Sequence, residues 1–181
     1  MNKKIQIGVM GPDEKEYPEA QEIRNKISKT AENLGQLIAK KNAVLFTGGC
    51  GGVMLSASKG AKIENGITVG SPGRTRNASN QYIDVEIITD VDVGSFIFAG
   101  LLSCDAIIFI PGGAGTLAEL CFAYRNKKKC IIMRGYDDFY DKFIGNYLDR
   151  GKSIKLLGAN TPEEAVNLAF DDASYQCKEK L

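Results

Sequence analysis

A glycine-rich turn near the middle of the chain is the feature whose residue types best suit chemistry. An apolar run at residues 106–110 leads into the sequence PGGAGT at residues 111–116, and helical spacing resumes after it. A strand, a glycine turn and a helix in succession aim backbone N–H groups and a helix dipole at one point, where an anion, most often a phosphate, binds. Glycines let the backbone turn tightly and let a ligand approach it closely. We therefore predict a phosphate cradle formed by Gly112, Gly113, Gly115 and Thr116.

A second glycine loop, GGCGG at residues 48–52, follows another apolar run. Because both loops follow strands of one predicted sheet, we expect the second loop to form the facing wall of the site. For either loop, the alternative is a strand-to-helix turn that binds nothing. The residues predicted to bind nucleotide here are Gly48, Gly49, Gly51 and Gly52, together with Gly11 at the end of the first strand. Cys50 lies within the loop and is the one cysteine placed at the predicted site.

The sequence PGGAGTLAE, residues 111–119, resembles the P-G-G-x-G-T-x-x-E signature of the LOG-like nucleotide-binding proteins, a group long mislabelled lysine decarboxylases. That group includes cytokinin-activating nucleoside 5′-monophosphate phosphoribohydrolases and molybdenum cofactor carrier proteins. The resemblance extends from residue 5 to about residue 133, and GSPG at residues 70–73 is similar to the middle loop of the carrier-like branch. It implies a Rossmann-like fold, a homo-oligomer such as a dimer or tetramer, and a bound nucleotide or molybdenum cofactor-like ligand with no other cofactor required.

Glu119 is the candidate catalytic residue. In the family the matching glutamate faces the ribose and is essential for hydrolysis, so the resemblance implies that Glu119 stabilises positive charge or orients water as an N-glycosidic bond breaks. Thr116 and Glu119 also have the spacing of a capping box, in which the glutamate accepts a hydrogen bond from the N-cap N–H. The sequence leaves both interpretations open.

The hydrolase pattern is incomplete in this chain. The resemblance implies an arginine on the helix before the central strand, but residues 93–102 carry no cation and Gly94-Ser95 stands at that position. Arg74 or Arg76, in a polar loop at residues 71–82, could supply a cation, and the alternative is that both arginines are solvated.

Two functions therefore stay open from the sequence. We predict phosphate-anchored, carrier-like binding of a nucleoside monophosphate or a nucleotide-bearing cofactor, and the alternative is hydrolysis of a nucleoside 5′-monophosphate. An interaction domain with a decayed site is a third alternative, which the intact glycine loops disfavour.

Composition excludes several classes of function. The 181 residues include no histidine, which removes Ser-His-Asp and Cys-His catalysis and histidine metal ligands. The five cysteines lack a C-x-x-C pair, so we expect reduced thiols in the cytoplasm and no metal site. The net charge of +1 gives no electrostatic case for nucleic acid or a membrane surface. No apolar stretch approaches the length that spans a bilayer.

Predicted strands and helices alternate along the chain, and they must position these residues. Hydrophobic periodicity predicts strands at 5–10, 43–47, 67–70, 85–89, 106–110, 130–133 and 154–157. It predicts helices at 18–41, 53–63, 93–103, about 116–126, 139–148 and 161–170.

This alternation predicts an α/β fold, a doubly wound and mostly parallel sheet with helices on both faces. We expect a single domain over residues 1–181, with residues 171–181 as a frayed tail. Ligands of such folds bind at the carboxyl ends of the strands near a switch point, where both glycine loops lie. We expect self-association through residues 93–102 or 117–124.

Overall fold

The chain forms one parallel sheet, seen in a computed structural model that describes residues 3–89 and 100–171. Seven strands lie within the described residues: β1 (Gln6–Met10), β2 (Val44–Thr47), β3 (Ile67–Gly73), β4 (Val85–Ile88), β5 (Ala106–Phe109), β6 (Lys129–Met133) and β7 (Leu157–Ala159). Their order across the sheet is β4-β3-β2-β1-β5-β6-β7, and every pairing is parallel. The predicted doubly wound α/β fold is confirmed.

Helices cover both faces of this sheet. The described helices are α1 (Gln21–Lys40), α2 (Gly52–Ile63), α3 (Ala114–Arg125), α4 (Asp138–Asp141) and α5 (Pro162–Phe170). One hydrophobic core lies between the sheet and α1, α2 and α5, and a second lies between the sheet and α3 and α4. The central strands β5 and β6 are buried along their whole length, which explains their unbroken apolar sequences.

Two glycines bring α1 and α2 into close contact. A Cβ on Gly35 would lie 1.9 Å from the carbonyl oxygen of Ala57, and a Cβ on Gly60 would lie 1.9 Å from that of Glu32. Any larger residue would therefore force the two backbones apart. This contact fixes α2 against α1 and, with it, the position of the second glycine loop.

The order in which strands are added to the sheet reverses between β1 and β5. Strands β2, β3 and β4 follow β1 on one side, while β6 and β7 follow β5 on the other. The carboxyl ends of β1 and β5 consequently diverge into loops on opposite sides, which opens a crevice between them. The loop after β5 is the predicted phosphate cradle, and the loop after β1 contains Gly11.

Several predicted boundaries are wrong. The helix predicted at 139–148 ends after α4, because Gly145 has a φ of +77° and its N–H donates to the carbonyl oxygen of Leu156 at 2.8 Å. Leu156 is therefore bonded to this turn, and pairing with β6 begins at Leu157, three residues after the predicted start of the last strand. Strand β3 continues to Gly73, through the first three residues of the predicted polar loop.

The helix predicted at 93–103 lies mostly outside the described residues. Only residues 100–103 of it are described, and they contain a 3₁₀ turn at Leu101–Ser103. The position of Gly94-Ser95 and the predicted interface at 93–102 are consequently left as predictions, as is the frayed tail, of which residue 171 alone is described. Within residues 3–89 and 100–171, no helix is long and apolar enough to span a membrane.

Candidate functional site

A cavity of about 360 Å³ lies at the switch point, where the loops after β1, β2 and β5 meet. Its volume falls within the range of small-ligand pockets. It is lined by Gly11, Asp13, Lys15, Glu16, Gly48, Cys50, Met54, Ser71, Gly115, Thr116 and Glu119. The carboxyl ends of four adjacent strands, β1, β2, β3 and β5, thus contribute to one crevice.

The N-terminus of α3 opens into this cavity. Gly113 is its N-cap, with φ −72° and ψ −160°, and provides no side-chain cap. The backbone N–H groups of residues 114–116 have no hydrogen-bond acceptor in the part of the chain that the structure describes. Unpaired N–H groups at the start of a helix attract an anion through both hydrogen bonding and the helix dipole.

The opposite side of this turn is bonded to the protein. The buried hydroxyl of Tyr140 donates to the carbonyl oxygen of Gly113 at 3.3 Å. A Cβ on Gly112 would lie 2.7 Å from the hydroxyl oxygen of Thr116 and 2.8 Å from Pro12 Cδ, so the loop is packed against both. These contacts hold the Gly113 carbonyl and leave the following N–H groups unpaired.

The N-terminus of α2 differs in one respect, because one N–H group of its first turn is already bonded to the protein. The N–H of Val53 donates to the carbonyl oxygen of Pro12 at 3.1 Å. The side-chain amide of Asn80 donates to the carbonyl oxygens of Gly49 at 3.0 Å and Cys50 at 2.9 Å. Gly52 has a φ of +58°, and a Cβ there would lie 2.4 Å from the Pro12 carbonyl oxygen. This loop requires glycine for its own geometry.

Glu119 lies on the cavity wall and makes no hydrogen bond or ion pair with any residue in 3–89 or 100–171. The capping-box interpretation is wrong: the cap of α3 is Gly113, so Thr116 lies inside the first turn and Glu119 one turn further on. Burial raises the pKa of the Glu119 carboxyl to about 8, and the nearby Glu16 carboxylate adds to the shift. This shift favours the protonated form of the group near neutral pH.

A family model that matches most of the chain shows which family this protein belongs to. Residues 4–166 match the family model described as the SLOG cluster4 family, which covers most of the chain. The chain belongs to this family. A relative from Archaeoglobus fulgidus, an uncharacterized protein, is 35% identical over 174 residues, which cover 94% of this chain and 98% of the relative.

Solved structures that resemble this SLOG cluster4 protein include molybdenum cofactor proteins. The molybdenum cofactor binding protein from the phototrophic bacterium Rippkaea orientalis is 32% identical, with a TM-score of 0.75 over 92% of this chain and 95% of that one. The Moco carrier protein from Chlamydomonas reinhardtii is 27% identical, with a TM-score of 0.74 over 91% and 94%. The structural genomics target TM1055 is 30% identical, with a TM-score of 0.80 over 91% and 97%. The resemblance drawn from the glycine signature is confirmed.

The structure brings part of the predicted site together in this SLOG cluster4 protein. Five predicted residues line the cavity: Gly11, Gly48, Gly115, Thr116 and Glu119. Gly112 and Gly113 form the turn before α3, Gly49 and Gly51 lie in the turn before α2, and Gly52 is the first residue of α2. Whether these residues bind a ligand stays a prediction.

The structure does not bring the two candidate arginines to the cavity. Both are exposed, and Arg76 lines a separate cavity of about 540 Å³ beside the loop after β3. Glu86, also in that lining, already accepts hydrogen bonds from the N–H groups of Asn77 at 2.8 Å and Ser79 at 3.0 Å. Those bonds and the Ser79 hydroxyl lower the pKa of Glu86 to about 2, so this acid stabilises the loop.

Five lining residues were not predicted from the sequence as site residues: Asp13, Lys15, Glu16, Met54 and Ser71. Among the lining residues in the described chain, Lys15 is the one cation. A usable signal was present, because Asp13, Lys15 and Glu16 directly follow the first strand and Gly11-Pro12, at the edge of the sheet where ligands bind. Met54 lies on the first turn of α2 and gives no comparable signal.

Cys50, within the second glycine loop, lines the cavity as its position in the sequence suggested. Burial raises the pKa of its thiol, and the Asp13 carboxylate raises it further. The thiolate, which is the nucleophile and the metal ligand, is therefore disfavoured. Within the described ranges, no three Cys, Asp or Glu side chains are grouped so that they could hold a metal ion.

Proposed function

We propose that this SLOG cluster4 protein is a carrier-type binding protein whose cavity holds a nucleotide or a molybdenum cofactor-like ligand by its phosphate. The observation that carries the proposal is the row of unpaired N–H groups at residues 114–116, at the mouth of a ligand-sized cavity. The relatives support the class of ligand, since two of them are named as molybdenum cofactor proteins.

The residues present fit such a ligand. Its phosphate would lie at the N-terminus of α3, against Gly115 and the Thr116 hydroxyl, which makes no hydrogen bond within the described residues. Lys15 would contribute a positive charge at the same opening. Met54 and the glycine walls would contact the apolar and planar part of the ligand. When bound, a molybdenum cofactor supplies the metal chemistry for the enzyme that receives it, and this chain supplies binding and protection.

The raised pKa of Glu119 also supports binding rather than hydrolysis. A carboxyl that stabilises positive charge on a ribose has to be ionised, and the pKa of about 8 keeps Glu119 mainly neutral at pH 7. The cation expected of the hydrolases is not supplied by Arg74 or Arg76, which lie outside the cavity lining. A missing preorganised charge costs roughly 100- to 1000-fold in rate. We expect little or no release of adenine from AMP by the wild type or by Glu119→Ala, and robust turnover abolished by Glu119→Ala would favour the hydrolase alternative.

The proposal is tested by identifying and titrating the ligand. The purified protein is denatured and its released small molecules are identified by mass spectrometry, and the wild type is titrated with AMP and with molybdenum cofactor. Gly113→Val is expected to weaken binding by about 10- to 100-fold, because the added side chain stands over the cradle while the backbone there is extended and tolerates valine. Gly151→Val, in an exposed loop away from the cavity, is the matched control.

Full affinity in Gly113→Val, or no binding of either ligand by the wild type, would contradict the proposal. A single domain, a cytoplasmic location and self-association stay predictions.

A further inference from the structure

A short acidic turn lies across the mouth of the cavity. It follows Pro12 and contains a 3₁₀ turn, Glu14–Glu16, capped by Asp13. A Cβ on Gly113 would lie 3.6 Å from Oε2 of Glu16, and a Cβ on Gly51 would lie 3.1 Å from Oδ2 of Asp13. One turn thus places a carboxylate beside the cap of α3 and another beside the cap of α2.

The Glu16 carboxylate lies beside the N-cap of α3, at the helix terminus where the proposed phosphate would bind. The dipole and unpaired N–H groups that favour a phosphate at the start of α3 favour a carboxylate there for the same reason. Two anions at one helix terminus repel each other, so the phosphate and the Glu16 carboxylate cannot share the position without a loss of affinity.

Nothing in the described residues ties the Glu16 side chain down. It is exposed and has no hydrogen bond or ion pair within residues 3–89 and 100–171. Its neighbour Glu14 differs, because its carboxylate pairs with Arg24 at 3.4 Å, on the side of α1. Glu16 can therefore leave the cradle by rotating its side chain, without breaking a contact of the fold.

The other charges around the cavity do not remove the repulsion. Asp13 is a second carboxylate, the raised pKa of Glu119 favours its neutral form at pH 7, and Lys15 is the one cation among the described lining residues. An anionic ligand therefore enters a site where one lysine faces the two carboxylates of Asp13 and Glu16, so the position of Glu16 matters more than in a basic pocket.

We propose that Glu16 is an internal competitor for the anionic group of the ligand and sets the affinity of the site for that group. The inference rests on the proposed function, since it assumes that a phosphate binds at α3. In a carrier, such competition lowers the affinity for the cargo and makes its release easier, because the carboxylate returns to the helix terminus as the phosphate leaves.

The test compares charge-removing variants with charged and neutral probes. Wild type, Glu16→Gln and Glu14→Gln are titrated calorimetrically with inorganic phosphate, AMP and adenosine at pH 7 and fixed ionic strength. Glu16→Gln is expected to bind phosphate and AMP about 3- to 10-fold more tightly, given the size of charge effects at a helix terminus, with adenosine unchanged. Glu14→Gln, which changes the same charge on the same turn away from the cradle, is expected to stay within about twofold of the wild type.

The outcomes separate the two proposals. Equal or weaker binding of phosphate and AMP by Glu16→Gln overturns the role of Glu16 and leaves the proposed function standing. An equal gain for adenosine also overturns it, because a general opening of the cavity would then explain the change. Failure of every protein to bind phosphate or AMP overturns the proposed function and this inference together.

Discussion

The two glycine loops look alike in the sequence but differ in what their glycines are needed for. Both follow a strand and both begin a twelve-residue helix capped by glycine, at Gly51 for α2 and Gly113 for α3. In α2 the N–H of Val53 is bonded to the carbonyl oxygen of Pro12, and Asn80 donates to the carbonyl oxygens of the loop. In the first turn of α3, none of the three N–H groups at residues 114–116 has an acceptor among the described residues. We infer that a glycine loop can bind an anion only to the extent that the fold leaves its N–H groups unbonded.

The largest expected difference between the two loops appears when one glycine of each is replaced by alanine. Gly52→Ala is expected to lower the free energy of unfolding by about 2–4 kcal/mol, because φ is +58° and the added Cβ would lie 2.4 Å from the Pro12 carbonyl oxygen. Gly113→Ala is expected to change it by less than about 1 kcal/mol, because its backbone is extended and the nearest atom is 3.6 Å away. Urea unfolding measures both. Equal losses would show that the loops have the same structural role.

The second test concerns Glu119, which lies on the cavity wall at α3. Its raised pKa should make the free energy of unfolding depend on pH. The pKa of about 8 lies above the ordinary value of 4.5, so the folded state holds a proton that the unfolded state loses. The contribution of this carboxyl to the free energy of unfolding is fully present below pH 4.5 and is lost as the pH rises through 8. Glu119→Gln is expected to be more stable than the wild type by on the order of 2–4 kcal/mol at pH 8.5 and nearly equal to it at pH 5.

Urea unfolding at the two pH values measures this difference. Glu16 and Tyr140 are the titratable groups that interact with Glu119, and Lys15 lies in the same lining. Glu163→Gln, an exposed acid on α5, is the control for removing a carboxylate elsewhere. The same gain from Glu119→Gln at pH 5 and pH 8.5 would show that ionisation is not the cause.

The smallest expected effect concerns the hydrogen bond from the Tyr140 hydroxyl to the Gly113 carbonyl oxygen, at the turn before α3. Tyr140→Phe leaves the Gly113 carbonyl without its 3.3 Å partner, and is expected to cost about 1 kcal/mol of stability and to weaken AMP binding about 2- to 5-fold. Tyr147→Phe, on the same segment but outside the cavity lining, is the matched control. Calorimetric titration in both variants measures the effect, and an unchanged affinity in Tyr140→Phe would show that the turn holds its shape without this bond.

The sequence predicted the fold well because the fold depends on local patterns. Unbroken apolar runs marked the buried strands, and helical periodicity marked α1 and α2. Errors arose where a tertiary contact overrides the local pattern. The aromatic helix predicted at 139–148 ends early because Gly145 and Asn146 bond to Leu156, ten or more residues away.

The site was predicted in part for the same reason. Glycine turns carry a local signature, so Gly115, Thr116 and Glu119 were found on the cavity wall. Asp13 and Glu16 belong to no motif, and the only signal for them is their position directly after the first strand; their place at the cavity follows from the pairing of β1 with β5 across the switch point. The capping-box interpretation failed because α3 begins earlier than the sequence suggested. Its N-cap is Gly113, which has no side chain to form a capping bond, so Thr116 lies inside the helix.

The central claim is that the unpaired N–H groups of α3, and not those of α2, receive the ligand's phosphate. The most direct measurement is the change in amide chemical shifts of the ¹⁵N-labelled protein on titration with AMP. We predict the largest shifts at residues 114–116, with smaller ones at residues 52–54. Larger shifts at residues 52–54 or at residues 76–86 around the second cavity, or no shifts at saturating AMP, would contradict the account.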